Sequence, residues 1–266
     1  MKPPESPFSL ANLAAPAAGV GGAAVVALDQ AAIIYDPSGF AEPPSLDWFQ
    51  SPPGKSGADR RGRGAVYYLA TAAGAAVLRR YRRGGLMARL GTDRYLWLGA
   101  EVTRPFREFR LTAALYRAGL PVPQPLAAAY WRSGMTYQAA LMTKRIDRAE
   151  TLAERWRRAP AAIDWAALGG LIARFHALGI CHADLNAHNI LLDSAGRAYL
   201  IDFDRGRWRA LDAIWPAQNL ARLHRSLCKI GAGQPETLVA PADWAALESA
   251  WRSQLLHPAS IGEGAR

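Results

Sequence analysis

His182-Ala183-Asp184-Leu185-Asn186-Ala187-His188-Asn189 decides how the rest of this chain is read. Asp184 is followed five positions later by Asn189, and then by the apolar run Ile190-Leu191-Leu192. Asp193-Ser194-Ala195-Gly196 has turn chemistry, and Tyr199-Leu200-Ile201 leads from it into Asp202-Phe203-Asp204. Two short strands joined by that turn would bring Asn189 and Asp202 back to the same end of one ladder. The residue types suit phosphoryl transfer. Asp184 would accept a hydrogen bond from an acceptor hydroxyl and orient it, while Asn189 and Asp202 offer the hard oxygen atoms that Mg²⁺ on a nucleoside triphosphate prefers. A plain surface turn requires neither Asn189 nor Asp202.

The order H-x-D-x-x-x-x-N, hairpin, Asp-Phe is that of a kinase catalytic loop and its metal-binding element. The chain has 266 residues and half of them are hydrophobic, enough for one large domain or two lobes with a real core. Its two cysteines, Cys181 and Cys228, make no disulfide framework and fit a reduced cytosolic setting. Cys181 beside His182 reads as a small apolar residue entering the loop rather than as a nucleophile. His176 and His182 read as packed, hydrogen-bonded structural residues, His182 bracing the loop.

Charge is uneven. Residues 60–117 carry thirteen arginines against Asp93, Glu101 and Glu108, so this segment alone equals the net charge of +10. Such a segment implies an anionic partner: nucleotide, phosphorylated substrate, membrane surface or nucleic acid. The first 30 residues are rich in Ala, Pro and Gly and are expected to form a poorly ordered extension, with ordered structure beginning near Ile33. Leu10 to Leu28 lacks charge, but its Ala/Gly composition and Pro16 argue against a membrane anchor or signal peptide.

A glycine-bearing turn around Gly62 and Gly64 runs into the strand Ala65-Val66-Tyr67-Tyr68-Leu69, and in a kinase such a loop covers the nucleotide phosphates. A second strand, Ala75 to Arg79, puts Arg79 where a kinase has its strand lysine. Glu108, on a helix with apolar Phe109, Leu111, Ala114 and Leu115, is placed to pair with it. Arg80 is the neighbour that could substitute, but it would point to the other face of the strand. Leu120-Pro121-Val122-Pro123 ends the helix, and strands follow at Leu126–Tyr130 and Thr136–Thr143. Thr143, Lys144, Arg145 and Ile146 are expected at the nucleotide, with residues 144–146 as hinge and adenine bonded mainly to backbone groups. Helices are expected over Thr151–Arg158, from an Asp164 cap to a Gly179 stop, from Asn219 to Ile230, and after Pro241 through Trp244, Leu247, Trp251 and Leu255. No long activation segment follows Asp204, so a small molecule or sugar is the expected acceptor.

These features describe an α+β, two-lobed, protein-kinase-like fold. A small, mostly β N-lobe with one key helix would span residues 31–143, and a compact, mostly helical C-lobe residues 147–266. Gly62-Arg63-Gly64, Val77 through Leu86, Glu108-Phe109-Arg110-Leu111, Gly119 through Pro123, His182 through Leu191 and Leu200-Ile201-Asp202-Phe203-Asp204-Arg205-Gly206 resemble the 3-deoxy-D-manno-octulosonic acid (Kdo) kinases of lipopolysaccharide assembly. The resemblance runs from Ala32 to Ile230. It implies transfer of the ATP γ-phosphate, with Mg²⁺, to a Kdo hydroxyl on a Kdo–lipid A acceptor at the cytoplasmic face of the inner membrane. Tyr137 to Leu141 departs from the family pattern, which has an acidic residue near Ala140.

On this reading Asp184, Asn189 and Asp202 are catalytic, and Asn189, Asp202 and Asp204 are candidate metal ligands, with Asp204 either a further ligand or a cap of its turn. Gly62, Gly64, Arg79, Glu108, Thr143, Lys144, Arg145 and Ile146 would serve the nucleotide. Arg205 would hold the acceptor carboxylate or form a structural salt bridge. The chain would meet an anionic bilayer peripherally, through arginines such as Arg82, Arg83, Arg89 and Arg94 with Leu86, Met87, Leu96 and Trp97. A kinase for another sugar or an aminoglycoside shares the same core chemistry, and a non-catalytic kinase-fold protein would have lost one of Asp184, Asn189 or Asp202. A nucleic-acid partner would explain the arginines but not the Asp/Asn/Asp set, and none is expected.

Overall fold

A computed structural model describes residues 22–40, 42–53, 56–57, 66–82, 93–212, 214–231 and 239–256. Gly62, Gly64, Arg83, Leu86, Met87 and Arg89 lie outside the described residues. The chain divides into two compact units: the described residues up to Ala113 with Pro123–Arg145, and Ala114–Val122 with Ile146 onward.

The first unit is built on an antiparallel sheet. Its elements are β1 (Ala24–Leu28), β2 (Ala31–Tyr35), a short α1 (Asp47–Gln50), β3 (Ser56–Gly57), β4 (Val66–Thr71), β5 (Gly74–Arg80), β6 (Tyr95–Leu96), α2 (Arg104–Arg117), β7 (Pro125–Ser133) and β8 (Thr136–Lys144). The strand order is β1-β2-β7-β8-β5-β4-β3, with β6 also pairing with β8. The period of two in the sequence sorts side chains to two buried faces. Ile34, Ala128, Ala139 and Leu141 face one cluster, together with Phe106, Phe109 and Ala113 of α2. Ile33, Ala127, Ala129, Ala140 and Met142 face a second cluster, with Phe40, Phe49 and Leu78. Ala140, near which an acid was expected, is fully buried in this sheet.

Order begins earlier than the sequence suggested. Ala24–Leu28 pairs with β2, Val26 opposite Ile33, through a tight turn in which Gln30 has a φ of 55°. The physical reason is the sheet edge: β7 pairs along one side of β2, and the uncharged, Val-containing segment just upstream satisfies the hydrogen-bonding groups of the other side. The expected extension over residues 1–30 therefore overruns this strand.

The second unit carries β9 (Glu150–Thr151), α3 (Leu152–Arg158), a 3₁₀ turn (Pro160–Ala162), α4 (Trp165–Ala177), β10 (Ile180–Cys181), β11 (Ile190–Leu192), β12 (Ala198–Leu200), β13 (Arg207–Trp208), α5 (Trp215–Gly231) and α6 (Pro241–Leu256). Its helices start where capping chemistry permits. Thr151 and Glu154 form a reciprocal capping box on α3, and Asp164 accepts from the N–H of Ala167 at 2.8 Å on α4. The α4 helix ends at Gly179, whose φ of +73° suits glycine. A Cβ there would also lie 2.4 Å from the carbonyl of Arg209. Within α4, Gly169 and Gly170 are costly by helix propensity but let α6 approach: a Cβ on Gly169 would meet the Leu247 carbonyl oxygen at 2.1 Å. The architecture is α+β, a mostly β unit with one long helix and a mostly helical unit.

Candidate active site

In the helical unit, β11 and β12 pair with Ile190 opposite Leu200, and the next rung is the N–H of Ile201 donating to the carbonyl of Asn189 at 3.0 Å. The hairpin thus delivers Asn189 and Asp202 to the same end, as its length required. Its tip is fixed by Asp193. Burial raises the carboxyl pKa of Asp193, but bonds from the side chain and N–H of Arg197 and the N–H of Ala195 outweigh it and hold the group below its usual range. Asp202 has a φ of 67°, a left-handed conformation uncommon outside glycine; strain of this kind concentrates at functional positions.

The loop before the hairpin is tied back on itself. Asn186 and Asn189 each donate through Nδ2 to the carbonyl of Asp184, both at 2.9 Å. With Nδ2 so used, Asn189 presents Oδ1 as its acceptor, a hard oxygen suited to Mg²⁺. Among the described residues no cluster of three or more His, Cys, Asp and Glu forms a metal cage. Asp204 is half-buried in the turn closed by the Gly206 N–H on the Phe203 carbonyl at 2.8 Å, and Arg205 is exposed.

His182 braces this loop. Its Nε2 contacts the carbonyl of Ile201 at 2.9 Å, and its Nδ1 accepts from the N–H of Asp184 at 3.3 Å. This requires the neutral, Nε2-protonated ring, and burial pushes the imidazole below its ordinary pKa in agreement. The ring packs 4.8 Å from Phe203. His176 is likewise structural: its Nδ1 accepts from the indole N–H of Trp251 at 3.0 Å and its Nε2 meets Asn219 Oδ1 at 3.1 Å. Burial depresses its pKa to about 4. Cys181 is buried in β10, in keeping with a packing role.

In the sheet unit, Arg79 on β5 reaches Glu108 on α2. Its Nη2 donates to both carboxylate oxygens at 2.7 Å. Glu108 is 2% exposed, and the hydroxyl of Tyr81 also donates to its Oε2. The Arg79 guanidinium lies 4.6 Å from the centre of the Tyr81 ring. Arg80 lies on the other side, over Trp131 at 5.4 Å. Thr143 pairs opposite Val77, one residue before the end of β8. The N–H of Lys144 donates to Gln124 and that of Arg145 to Ala75, both at 2.8 Å. The amide N–H groups of both residues are therefore already bonded within the fold. Ile146 is half-buried and groups with the helical unit.

A family model described as lipopolysaccharide kinase (Kdo/WaaP) family matches residues 49–251, which include both groups of residues. This chain belongs to that family. It is a phosphotransferase with an alcohol group as acceptor. Curated relatives named 3-deoxy-D-manno-octulosonic acid kinase agree. The one from Xanthomonas campestris pv. campestris (strain B100) is 51% identical over 172 residues, 65% of this chain and 69% of the relative. That from Xylella fastidiosa (strain M23) is 52% identical over 169 residues, 64% and 68% respectively. A solved structure, WaaP in complex with acyl carrier protein, is 18% identical, with a TM-score of 0.47, covering 78% of this chain and 84% of that one.

The kinase loop has a further support that the sequence reading missed. Three polar side chains on α5 meet three successive parts of it. Asn219 Nδ2 donates to the carbonyl of His182 at 2.7 Å, Arg222 contacts Asp184 Oδ1 through Nη2 at 2.5 Å and Nε at 3.2 Å, and Ser226 Oγ accepts from the N–H of Ala187 at 3.2 Å. Positions 219, 222 and 226 are spaced by three and four, one face of a helix. That polar spacing beside the apolar stripe Leu220, Leu223 and Leu227 was the available signal.

Proposed function

We propose that this chain transfers the γ-phosphoryl group of ATP to a hydroxyl of Kdo on Kdo–lipid A, in assembly of the lipopolysaccharide core. The observation that carries this reading is the joining of Asp184, Asn189 and Asp202 at one end of the β11–β12 hairpin, in a chain 51% identical over 172 residues to a named Kdo kinase. Asp184 orients the acceptor hydroxyl and takes its proton as that oxygen bonds to the γ-phosphorus; the bond from phosphorus to the ADP oxygen breaks and ADP leaves. Asn189 and Asp202 would hold Mg²⁺, with Asp204 the third candidate ligand; the ion, when bound, supplies charge neutralisation on the phosphates. Arg79, held by Glu108 and Tyr81, contacts the phosphates, and its charge persists at any working pH. Gly62 and Gly64 would serve the phosphates, and backbone groups of Thr143 to Ile146 the base. The test is an acceptor panel with ATP and Mg²⁺: Kdo–lipid A, lipid A without Kdo, heptosylated core and an aminoglycoside. Phosphate on the Kdo-bearing acceptor alone supports the reading; phosphate on heptose or aminoglycoside instead replaces it.

We infer also that the chain works as a peripheral protein at the cytoplasmic face of the inner membrane. No helix among the described residues is long and apolar enough to cross a bilayer. Leu96, Leu98 and Met135 are 55%, 75% and 77% exposed. They lie close together, because Leu96 pairs opposite Thr136 and the N–H of Trp97 donates to the Met135 carbonyl. Arg94, bonded to Thr136 Oγ1, and Arg132, stacked 4.4 Å over Trp97, border them. Exposed aliphatic groups flanked by arginines fit the interface of an anionic membrane.

A further inference from the structure

Asp184 is the group placed to orient the acceptor, yet its carboxylate is not set by its own loop alone. The Asp184 contact from α5 is charged, to one oxygen, through two nitrogens of one guanidinium. We propose that Arg222 is a positioning residue of this kinase: it fixes the rotamer of Asp184 so that the carboxylate meets the acceptor hydroxyl in line with the phosphoryl group. This rests on the reading of Asp184 as the acceptor-facing residue.

Three features make Arg222 a built contact rather than an incidental surface pair. The first is registration. Asn219, one turn earlier on the same face, is clamped on the carbonyl of His182, and Ser226, one turn later, holds the N–H of Ala187. These contacts fix α5 along and around its axis, so the reach of Arg222 to Asp184 is set at both ends.

The second is depth of anchoring. Asn219 is bonded in turn to His176 of α4, and His176 to Trp251 of α6, so three helices hold the clamp. Leu220, Leu223 and Leu227 are buried beside it, which keeps the helix from rolling.

The third is exposure. The Arg222 and Asp184 side chains are 48% and 30% exposed. A pair so accessible adds little to stability, the usual lot of surface salt bridges, so its value lies in geometry. Misplacing a reacting group by about 1 Å can cost on the order of 100-fold in rate.

The test compares wild type, Arg222→Gln, Arg222→Lys, Arg222→Ala and Asp184→Asn with ATP, Mg²⁺ and Kdo–lipid A, each variant first checked for an unchanged melting temperature. Arg222→Gln should lower kcat by about 10- to 100-fold while KM for ATP stays within about twofold, since Arg222 acts on the acceptor side. Arg222→Lys should recover part of the loss, lacking the second nitrogen contact. Added guanidinium ion should raise the kcat of Arg222→Ala in a saturable way, which a merely structural role would not show. An unchanged or increased kcat in Arg222→Gln overturns the proposal, the increase marking the pair as a latch that withholds Asp184. A rise in KM for ATP alone overturns it too, by placing Arg222 at the nucleotide. If Asp184→Asn keeps its turnover, the acceptor-facing reading itself has failed; if Asp184→Asn is dead and Arg222→Gln is normal, only this inference has.

Discussion

Arg79 draws its position from two neighbours of different kinds. Glu108 supplies the charge and Tyr81 a second hydrogen bond to the same buried carboxylate. Arg79→Ala should cost about 2–4 kcal/mol of transition-state stabilisation, the range for removing a preorganised charged donor. Arg79→Lys should be rescued in part, because an ammonium cannot reproduce the planar guanidinium contact. Tyr81→Phe should cost less than about tenfold in kcat/KM for ATP, since Arg79 remains on Glu108. A fully active Arg79→Ala enzyme would contradict the assignment and move the phosphate contact to another arginine. The Arg79–Glu108 pair was legible because each residue sits in a local pattern with a known partner position. Tyr81 and Arg222 were not, because no spacing rule ties either residue to its partner. Tyr81 even shares a strand face with Arg79 by the period of two, yet nothing local distinguishes a tyrosine that bonds a carboxylate from one that only packs.

The hairpin and the ends of α4 were legible because their chemistry is local, an Asp cap, a glycine stop and a turn at Asp193–Gly196, whereas α5 starts at Trp215, a turn before the expected Asn219. Strand β1 was missed because a short Ala/Val segment has no signal until the edge it completes is known. The same distinction governs Gly169. By helix propensity Gly169 costs α4 locally, and its reason is the close approach of α6 at Leu247. Gly169→Ala should therefore lower stability by about 1–3 kcal/mol, overpacking outweighing the gain in helix propensity. Thermal unfolding of the variant checks this; an unchanged or raised Tm would show that the two helices can separate without loss. The contacts of α5 with the catalytic loop belong to the same class, helix faces whose purpose appears only once the partner segment is in place.

For the whole molecule, the two buried histidines make stability depend on pH. His176 is held neutral with a pKa of about 4 against an ordinary 6.5, and His182 is depressed in the same direction. The unfolded chain binds more protons than the folded one in that interval. The stabilisation is thus complete above pH 6.5 and lost as pH falls from there toward 4, on the order of 3 kcal/mol for His176. Tm should drop over that window, and His176→Gln should shallow the slope; a flat profile in wild type would mean these rings protonate without penalty. The exposed Leu96, Leu98 and Met135 should give sedimentation with anionic vesicles that weakens with salt, each nearby arginine contributing about 1 kcal/mol within a Debye length of roughly 8 Å. Leu98→Asn should weaken it further, and no binding at low salt would remove the membrane reading. The central claim is more direct still: a Kdo hydroxyl is the acceptor, and Asp184 orients it. The deciding measurement is mass analysis of Kdo–lipid A after incubation with ATP and Mg²⁺, wild type beside Asp184→Asn and Asp202→Ala. One added phosphoryl group, located on the Kdo fragment, is expected with wild type; none with Asp184→Asn although it still binds nucleotide; and weakened nucleotide binding as well with Asp202→Ala. An unmodified acceptor with active wild-type protein, or normal turnover by Asp184→Asn, would contradict that claim.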